Sequence, residues 1–349
     1  MKRIALFLSA LVLLYTITSC NDDNTKEIVV TESNYNFSFI IRLSDIHCNN
    51  LLSQIKSDDS FNVDDISIRP LQENDNVTVK TIVDQTVCSA GLVADETVNS
   101  AKLLVDIDSY GSDGIITHEF VIQYDKNNSK TTDTITCEID KNKTNILCKS
   151  ILVNNIRKSL ADGSFPQSIL IMKTAPSVYN SIDKDNYETL IEKEVDGLKF
   201  SFWLSDMDDK TTNIFDEKDI RERGFKFNMS LTNNTDRNVF TKNEFGPYLS
   251  DVFDIDNNYK GRSCRMFDFL LRIDKIQPGE TRYEPIPWCS YDVNNPDIEL
   301  LPVGKYYTYF SKSYTYEHGD NYDNFDHTKT NTTRKTIDIP LMYINFEVK

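Results

Sequence analysis

A chain of 349 residues exceeds one typical hydrophobic core, so two domains are the starting expectation. Hydrophobic residues at 39% and aromatic residues at 11% are enough to build real cores, which excludes a disordered polymer. The net charge of −16 argues against nucleic acid as a partner, and equally against docking on anionic lipid through a basic face.

The chain opens with Lys2 and Arg3, the apolar run Ile4 to Ile17, and Thr18-Ser19 before Cys20. A basic start, an apolar stretch of this length and a small-residue break predict a secretory signal peptide over 1–19. A bilayer span needs about 20 apolar residues, and this run stops before Asn21-Asp22-Asp23. The tetrapeptide Ile17-Thr18-Ser19-Cys20 resembles the lipobox of bacterial lipoproteins. That resemblance implies cleavage before Cys20 and acylation, by palmitate or its like, of the thiol and the new amino group. Two or more chains anchor stably, at about 0.8 kcal/mol per buried CH₂. The acidic triplet 21–23 is similar to the surface-export signal of Bacteroides-type lipoproteins, which implies an outer-membrane protein facing outward. Residues 20–34 then form a lipidated tether.

Residues 35–174 predict a β-rich N-terminal domain. Phe37, Phe39, Ile41 and Leu43 alternate with Ser38, Ile40, Arg42 and Ser44, close to the pattern of a half-buried strand. Further strands are expected at Ile66–Ile68, Val77–Val83 and Ala101–Ile107. A tip at Gly111–Gly114 leads into Ile115–Tyr124, and Ser168–Met172 closes the domain. Six cysteines remain after Cys20: Cys48, Cys88, Cys137, Cys148, Cys264 and Cys289. An even count in an exported chain predicts disulfides. Cys137 and Cys148 flank a turn at Asn142-Lys143 symmetrically, which sets them across a hairpin at bridging distance. Cys48–Cys88 and Cys264–Cys289 are the nearest remaining partners. No Cys-x-x-Cys supports a zinc site instead.

The segments NNLLSQ (49–54), DISIRPL (65–71), DTITCEID (133–140) and ILVNN (151–155) resemble the N-terminal domain of uncharacterised Bacteroides-type lipoproteins. The resemblance implies a β-rich extracellular domain and brings no activity with it. Asp133-Thr134-Ile135 is also similar to the short O-glycosylation sequon of those bacteria.

Residues 175–196, polar and charged, predict a solvated linker, with Asp185 and Glu188 spaced as the capping box of a short helix. Residues 197–349 carry the cleaner strand pattern. Leu198, Phe200, Phe202 and Leu204 alternate with polar residues and Trp203, and Phe225, Phe227, Met229 and Leu231 do the same. Turn chemistry at 233–238 and 277–280 separates further runs, which together predict a β-sandwich. The order GFKFNMSLTNNTD (224–236), PGE (278–280) before Trp288, and PVGKYY (302–307) resembles the BsuPI-type immunoglobulin-like domain. Some relatives inhibit proteinases and many are accessory modules of lipoproteins. The fold class expected is therefore all-β, two β-sandwich-like domains, the second immunoglobulin-like.

Catalytic signatures are missing. No Gly-x-Ser-x-Gly elbow, His-Glu-x-x-His helix or phosphate loop occurs, and His118 shares an apolar face with Ile116, Phe120 and Ile122. The chain reads as non-enzymatic and without a cofactor. Asp254, Asp256 and Asn258 have calcium-loop spacing, but Tyr259 and Arg265 occupy the positions that loop needs as Gly and Glu. The cluster His318 to His327 gathers similar ligands; solvated tips account for both, and no metal is expected. Tyr307, Tyr309, Tyr316 and Trp203 are the candidate ligand contacts, because outward Tyr and Trp combine apolar area with a polar tip. The function expected is a lipid-anchored binding or adhesion module for a glycan or partner protein. The alternatives are a proteinase inhibitor or an accessory subunit of an outer-membrane complex.

Overall fold

The computed structural model describes residues 33–45, 49–53, 57–72, 76–88, 96–125, 131–142, 146–158, 167–242, 251–262, 273–288, 301–320 and 331–349, with only the backbone of 83–88, 96–100, 242, 262, 273 and 312. The signal peptide, Cys20, Cys48, Cys264, Cys289 and the Cys88 side chain lie outside that description. The protein is all-β and sandwich-like. It divides into two compact units, one containing 62–171 with the chain up to Arg42, the other Leu43–Phe61 with Met172–Lys349.

The first eleven strands are β1 (Ser33–Ser44), β2 (Leu52–Ser53), β3 (Phe61–Asn62), β4 (Ser67–Pro70), β5 (Asn76–Cys88), β6 (Glu96–Gly111), β7 (Gly114–Gln123), β8 (Thr132–Lys141), β9 (Ile146–Val153), β10 (Ile156–Lys158) and β11 (Gln167–Met172). In the first unit they form a sheet of order β11-β1-β6-β5 and a second of order β10-β9-β8-β7-β4. The alternation of β1 buries Phe37, Phe39 and Ile41, and Phe39 meets Phe120 of β7 with ring centroids 6.2 Å apart. Fully buried His118 is satisfied in this core, its Nε2 lying 2.5 Å from the Tyr35 hydroxyl. The β9–β10 hairpin turns on Asn154 and Asn155, both at positive φ, as a two-residue type I′ turn demands. Thr134 is exposed on β8, while the neighbouring Asp133 is buried and accepts from Tyr124 and Asn154.

The β8–β9 hairpin exists, but its register differs from the symmetric one expected for the two cysteines. A bulge after Glu138 puts Cys137 opposite Ile151 and Cys148 opposite Ile139, so the two are diagonal neighbours. Both are free thiols with their sulfurs 3.8 Å apart.

The second unit continues with α1 (Pro176–Ser181), β12 (Leu190–Val195), β13 (Leu198–Ser205), β14 (Ile214–Phe215), α2 (Glu217–Arg223), β15 (Lys226–Asn233), β16 (Asn238–Lys242), β17 (Asp251–Asp254), β18 (Tyr259–Arg262), β19 (Ile273–Ile276), β20 (Thr281–Pro287), β21 (Gly304–Gly319) and β22 (Thr332–Val348). One sheet has the order β12-β13-β15-β20 and the other β14-β22-β21-β16-β19, with β17 added on β21. Leu198, Phe200, Phe202, Phe225, Phe227 and Met229 meet Ile344, Phe346 and Val348 in one core. Phe225 is its centre, with the rings of Phe215, Phe227, Trp288 and Phe346 at 4.9, 5.1, 5.5 and 5.6 Å. It is set there by Gly224, which ends α2 at φ 80° with the Trp288 carbonyl 3.1 Å from where a Cβ would stand.

The two turn motifs singled out in the sequence touch each other through one residue. Fully buried Asn233 gives its backbone N–H to Glu280 and accepts at its backbone oxygen from Gly279. Its side-chain amide donates to the carbonyls of Arg237 and Ile276, and its side-chain oxygen accepts from Thr235. The Asn-Asn-Thr-Asp turn and the Pro-Gly-Glu turn, which carries the chain from one sheet to the other, are thus pinned together. Asn233→Ala strands several buried partners and is expected to lower stability by about 2–4 kcal/mol. The midpoint of urea unfolding measures it; a loss under about 0.5 kcal/mol, the range of an ordinary surface change, would show the turns holding without the side chain.

One loop design recurs three times in this unit. Asp45, Asp206 and Asp254 each give their N–H to the carbonyl four residues on and accept that residue's N–H at a side-chain oxygen. In the two loops described throughout, the fourth residue (Asp209, Asn257) sits at φ 66°, the left-handed position that Asn and Asp tolerate. This accounts for the calcium-like spacing at 254–258. The Asp254 carboxylate is engaged by the loop's own N–H groups, by the Asn258 amide and by Lys260 at 2.8 Å.

The expected linker is corrected. Asp196 and Gly197, at φ 54° and 74°, form a tight hairpin that folds 190–195 back as β12 along β13. Its Glu192, Lys193 and Glu194 are the charges of an edge strand, which hide its periodicity. The short helix starts at Pro176, not at the Asp185–Glu188 box.

Candidate functional site

The linker correction decides the fate of the aromatic strand. Tyr306 and Phe310 of β21 face the central core, while Tyr307 and Tyr309 face the other side of the sheet. That other side is covered by α1, and Phe253 of β17, the strand paired beside β21, lies on the same face, so Tyr307 and Tyr309 pack with Tyr179, Ile182 and Phe253 in a second core. The Tyr307 hydroxyl lies 2.9 Å from Thr174 Oγ1 and from Asn257 Oδ1. Tyr316 is buried in the central core and donates to Asp196 at 2.6 Å. Three of the four candidate contacts are therefore packing residues. A chain segment read as solvated connector covers the face they were expected to present.

Trp203 is placed differently. The inward parity of Leu198, Phe200, Phe202 and Leu204 turns it out of the four-stranded sheet, where it is half-buried. The sequence reading missed its partner, Tyr283 of β20, which is 47% exposed. Counting back from inward Ile286 and Trp288 puts position 283 on the outer face, and that signal was available. The two rings stack with centroids 5.6 Å apart and planes 19° from parallel. They lie on strands either side of β15, whose facing residues are small: Asn228 opposite Trp203, Ser230 opposite Tyr283. That lets the rings close over the central strand.

A relay of hydrogen bonds fixes the stack. The Tyr283 hydroxyl donates to Asn228 Oδ1. The Asn228 amide donates to Ser205 Oγ at 2.9 Å, and Ser205 donates to the Asp206 carbonyl at 3.0 Å. Asn228 is fully buried, so this relay runs beneath the platform and ends on the Asp206 loop. The same loop carries Asp209 to the rim.

Around the rings lies an open groove of about 600 Å³ lined by Leu190, Glu192, Ser201, Asp209, Thr211 and Ser230. Both carboxylates are matched. Glu192 takes Lys199 at 2.8 Å and Ser201 at 3.0 Å, and Asp209 takes Lys226 at 2.7 Å. Hydrogen bonds from Lys199 and then Ser201 hold the Glu192 carboxyl below the usual carboxylate range. Burial, then the Asp209 charge, pushes the Tyr283 hydroxyl up. A depressed acid keeps its charge until the pH falls through its lowered value, and a raised phenol stays a donor past its usual range of about 10. Ligand affinity is therefore expected to be flat between about pH 5 and 9, failing only in stronger acid. Binding titrations across that range test this; a midpoint near pH 6.5 would assign control to another group.

No protein-family model, curated protein or solved structure matches this chain. The site is accordingly read from its own geometry.

Proposed function

We propose that this protein is a non-catalytic, lipid-anchored surface protein whose second unit binds a glycan on the Trp203–Tyr283 platform. The observation that carries the reading is the stacked, outward ring pair held from below by Asn228 and edged by hydroxyls and carboxylates. Aromatic faces offer apolar area, and groove-edge polar groups fix orientation, the usual composition of a small-ligand site. The lipobox-like 17–20 segment supports anchoring at Cys20 in an outer membrane, and the acidic 21–23 supports surface exposure. The Asn-turn, Pro-Gly-Glu and Tyr-strand motifs support a BsuPI-like, immunoglobulin-like assignment for the second unit. A glycan array probed with the full-length chain and with Trp203→Ala tests the binding reading. Signals lost in the variant support it; retained signals would move the site elsewhere.

Export also bears on the buried thiols. Free sulfurs 3.8 Å apart on one face of a hairpin are within a side-chain rotation of bonding. Exchange with an oxidised carrier disulfide would remove two hydrogens from Cys137 and Cys148 and reduce the carrier to its dithiol. The protein purified from an exporting cell is expected to carry this bond by peptide mapping. Closing so short a loop adds about 2–3 kcal/mol, which reductant or Cys148→Ser removes. Two alkylatable thiols in the exported protein would contradict it.

A further inference from the structure

Resting on that reading, we infer that the groove selects an uncharged pyranose chain over acidic sugars, basic sugars and proline-rich peptide. The hydrogen-bonding capacity left in the groove is mostly acceptor. Lys199 and Ser201 both bond Glu192 Oε1, and Lys226 bonds Asp209 Oδ1. The second oxygen of each carboxylate is open to donors from solvent or ligand. The Thr211 and Ser230 hydroxyls also line the groove. A ligand that fits is therefore rich in O–H donors.

Charge narrows the class. Each rim carboxylate already has its lysine, so the groove offers no unmatched charge of either sign. A uronic or sulfated sugar would meet the two carboxylates and no lysine among the residues that line the groove, so its anion gains no partner there and is repelled at close range. An amino sugar would reach only the second oxygen of each carboxylate, whose charge Lys199 and Lys226 already offset at 2.8 and 2.7 Å, so its ammonium gains little there for the hydration it gives up. Neutral hydroxyls add to these ion pairs without displacing them.

The ring pair narrows it again. Proline-rich segments dock on aromatic grooves, and their peptide carbonyls, as acceptors, need a donor from the protein. Here the Tyr283 hydroxyl is turned down to Asn228 and is spent, so the ring donor left to a peptide is the Trp203 indole N–H, and the open carboxylate oxygens would go unused by carbonyls. What Trp203 and Tyr283 present is mainly apolar ring surface, complementary to the C–H face of a pyranose, while that sugar's equatorial hydroxyls point sideways toward the acceptor rim. A neutral, donor-rich ligand with one apolar face is a hexopyranose.

The test uses the full-length chain against an array of neutral hexose oligomers of varied linkage, uronic-acid oligomers, glucosamine oligomers and a proline-rich decapeptide. Hits are titrated by tryptophan fluorescence with Trp203→Ala as control. The expected result is a neutral oligomer bound at least ten-fold more tightly than any charged sugar, its signal lost in Trp203→Ala. Glu192→Gln, which keeps an acceptor but loses the charge, should weaken that binding by less than ten-fold. A charged sugar preferred at Trp203 would overturn the selectivity inference and leave the glycan-binding reading standing. Capture of the peptide at Trp203, or of nothing on the array, would overturn both.

Discussion

Replacing Phe225 with alanine is expected to cost the second unit about 3–5 kcal/mol, the range for a fully enclosed phenylalanine. Four aromatic rings surround Phe225 within 6 Å, and they belong to β14, β15, β22 and the Trp288 segment. Its backbone oxygen also accepts from Trp288 N–H at 2.7 Å, so the backbone there is held and cannot readily slide to fill the void. The loss should appear as a lowered urea midpoint for this unit, and Phe225→Leu should recover part of it. An effect below about 1 kcal/mol would mean that the cluster collapses around the gap.

Trp203→Ala is expected to lower glycan affinity about thirty-fold, or roughly 2 kcal/mol, by removing the larger half of the platform. Stability should fall by only about 1–2 kcal/mol, because the half-buried indole loses its stack on Tyr283 and its contact at the edge of the core but leaves no enclosed cavity. Tyr283→Phe separates contact from positioning. It keeps the ring and its stacking area but removes the hydroxyl that Asn228 holds. A loss of three- to ten-fold, flat with pH, is expected. Isothermal titration of both variants against the best array ligand measures these effects. Equal losses in the two would place the binding energy in the hydroxyl rather than in the ring faces.

Much of the fold could be read from period-2 patterning, because burial on one face leaves that mark wherever a strand is covered on one side. Leu198 to Leu204 and Phe225 to Leu231 run inward as their alternation predicts. The pattern failed where both faces of a strand share one fate. β12 is an exposed edge with charges on successive positions, and only the Asp196-Gly197 turn marks it as half of a hairpin. β21 has the opposite problem. Tyr306 and Tyr307 are both buried, one on each side, so parity could not say which tyrosines reach solvent. In β22 the register shifts opposite Phe310–Lys312, where Pro340 lacks an N–H for the ladder, so inward Ile339 and Met342 fall on opposite parities. The site was half legible for a related reason. Trp203 stands out as the large residue on a polar parity, whereas Tyr283 acquires meaning only when β15 brings two distant strands together across Asn228 and Ser230.

The most direct test of the platform is the indole N–H region of a ¹H–¹⁵N correlation spectrum. The chain has two tryptophans; Trp203 lies on the groove and Trp288 is buried in the core. Titration with a neutral hexose oligomer is predicted to move the Trp203 cross-peak progressively and leave that of Trp288 in place, with the moving peak assigned by its loss in Trp203→Phe. A bound glycan that leaves the Trp203 peak unmoved would contradict the account.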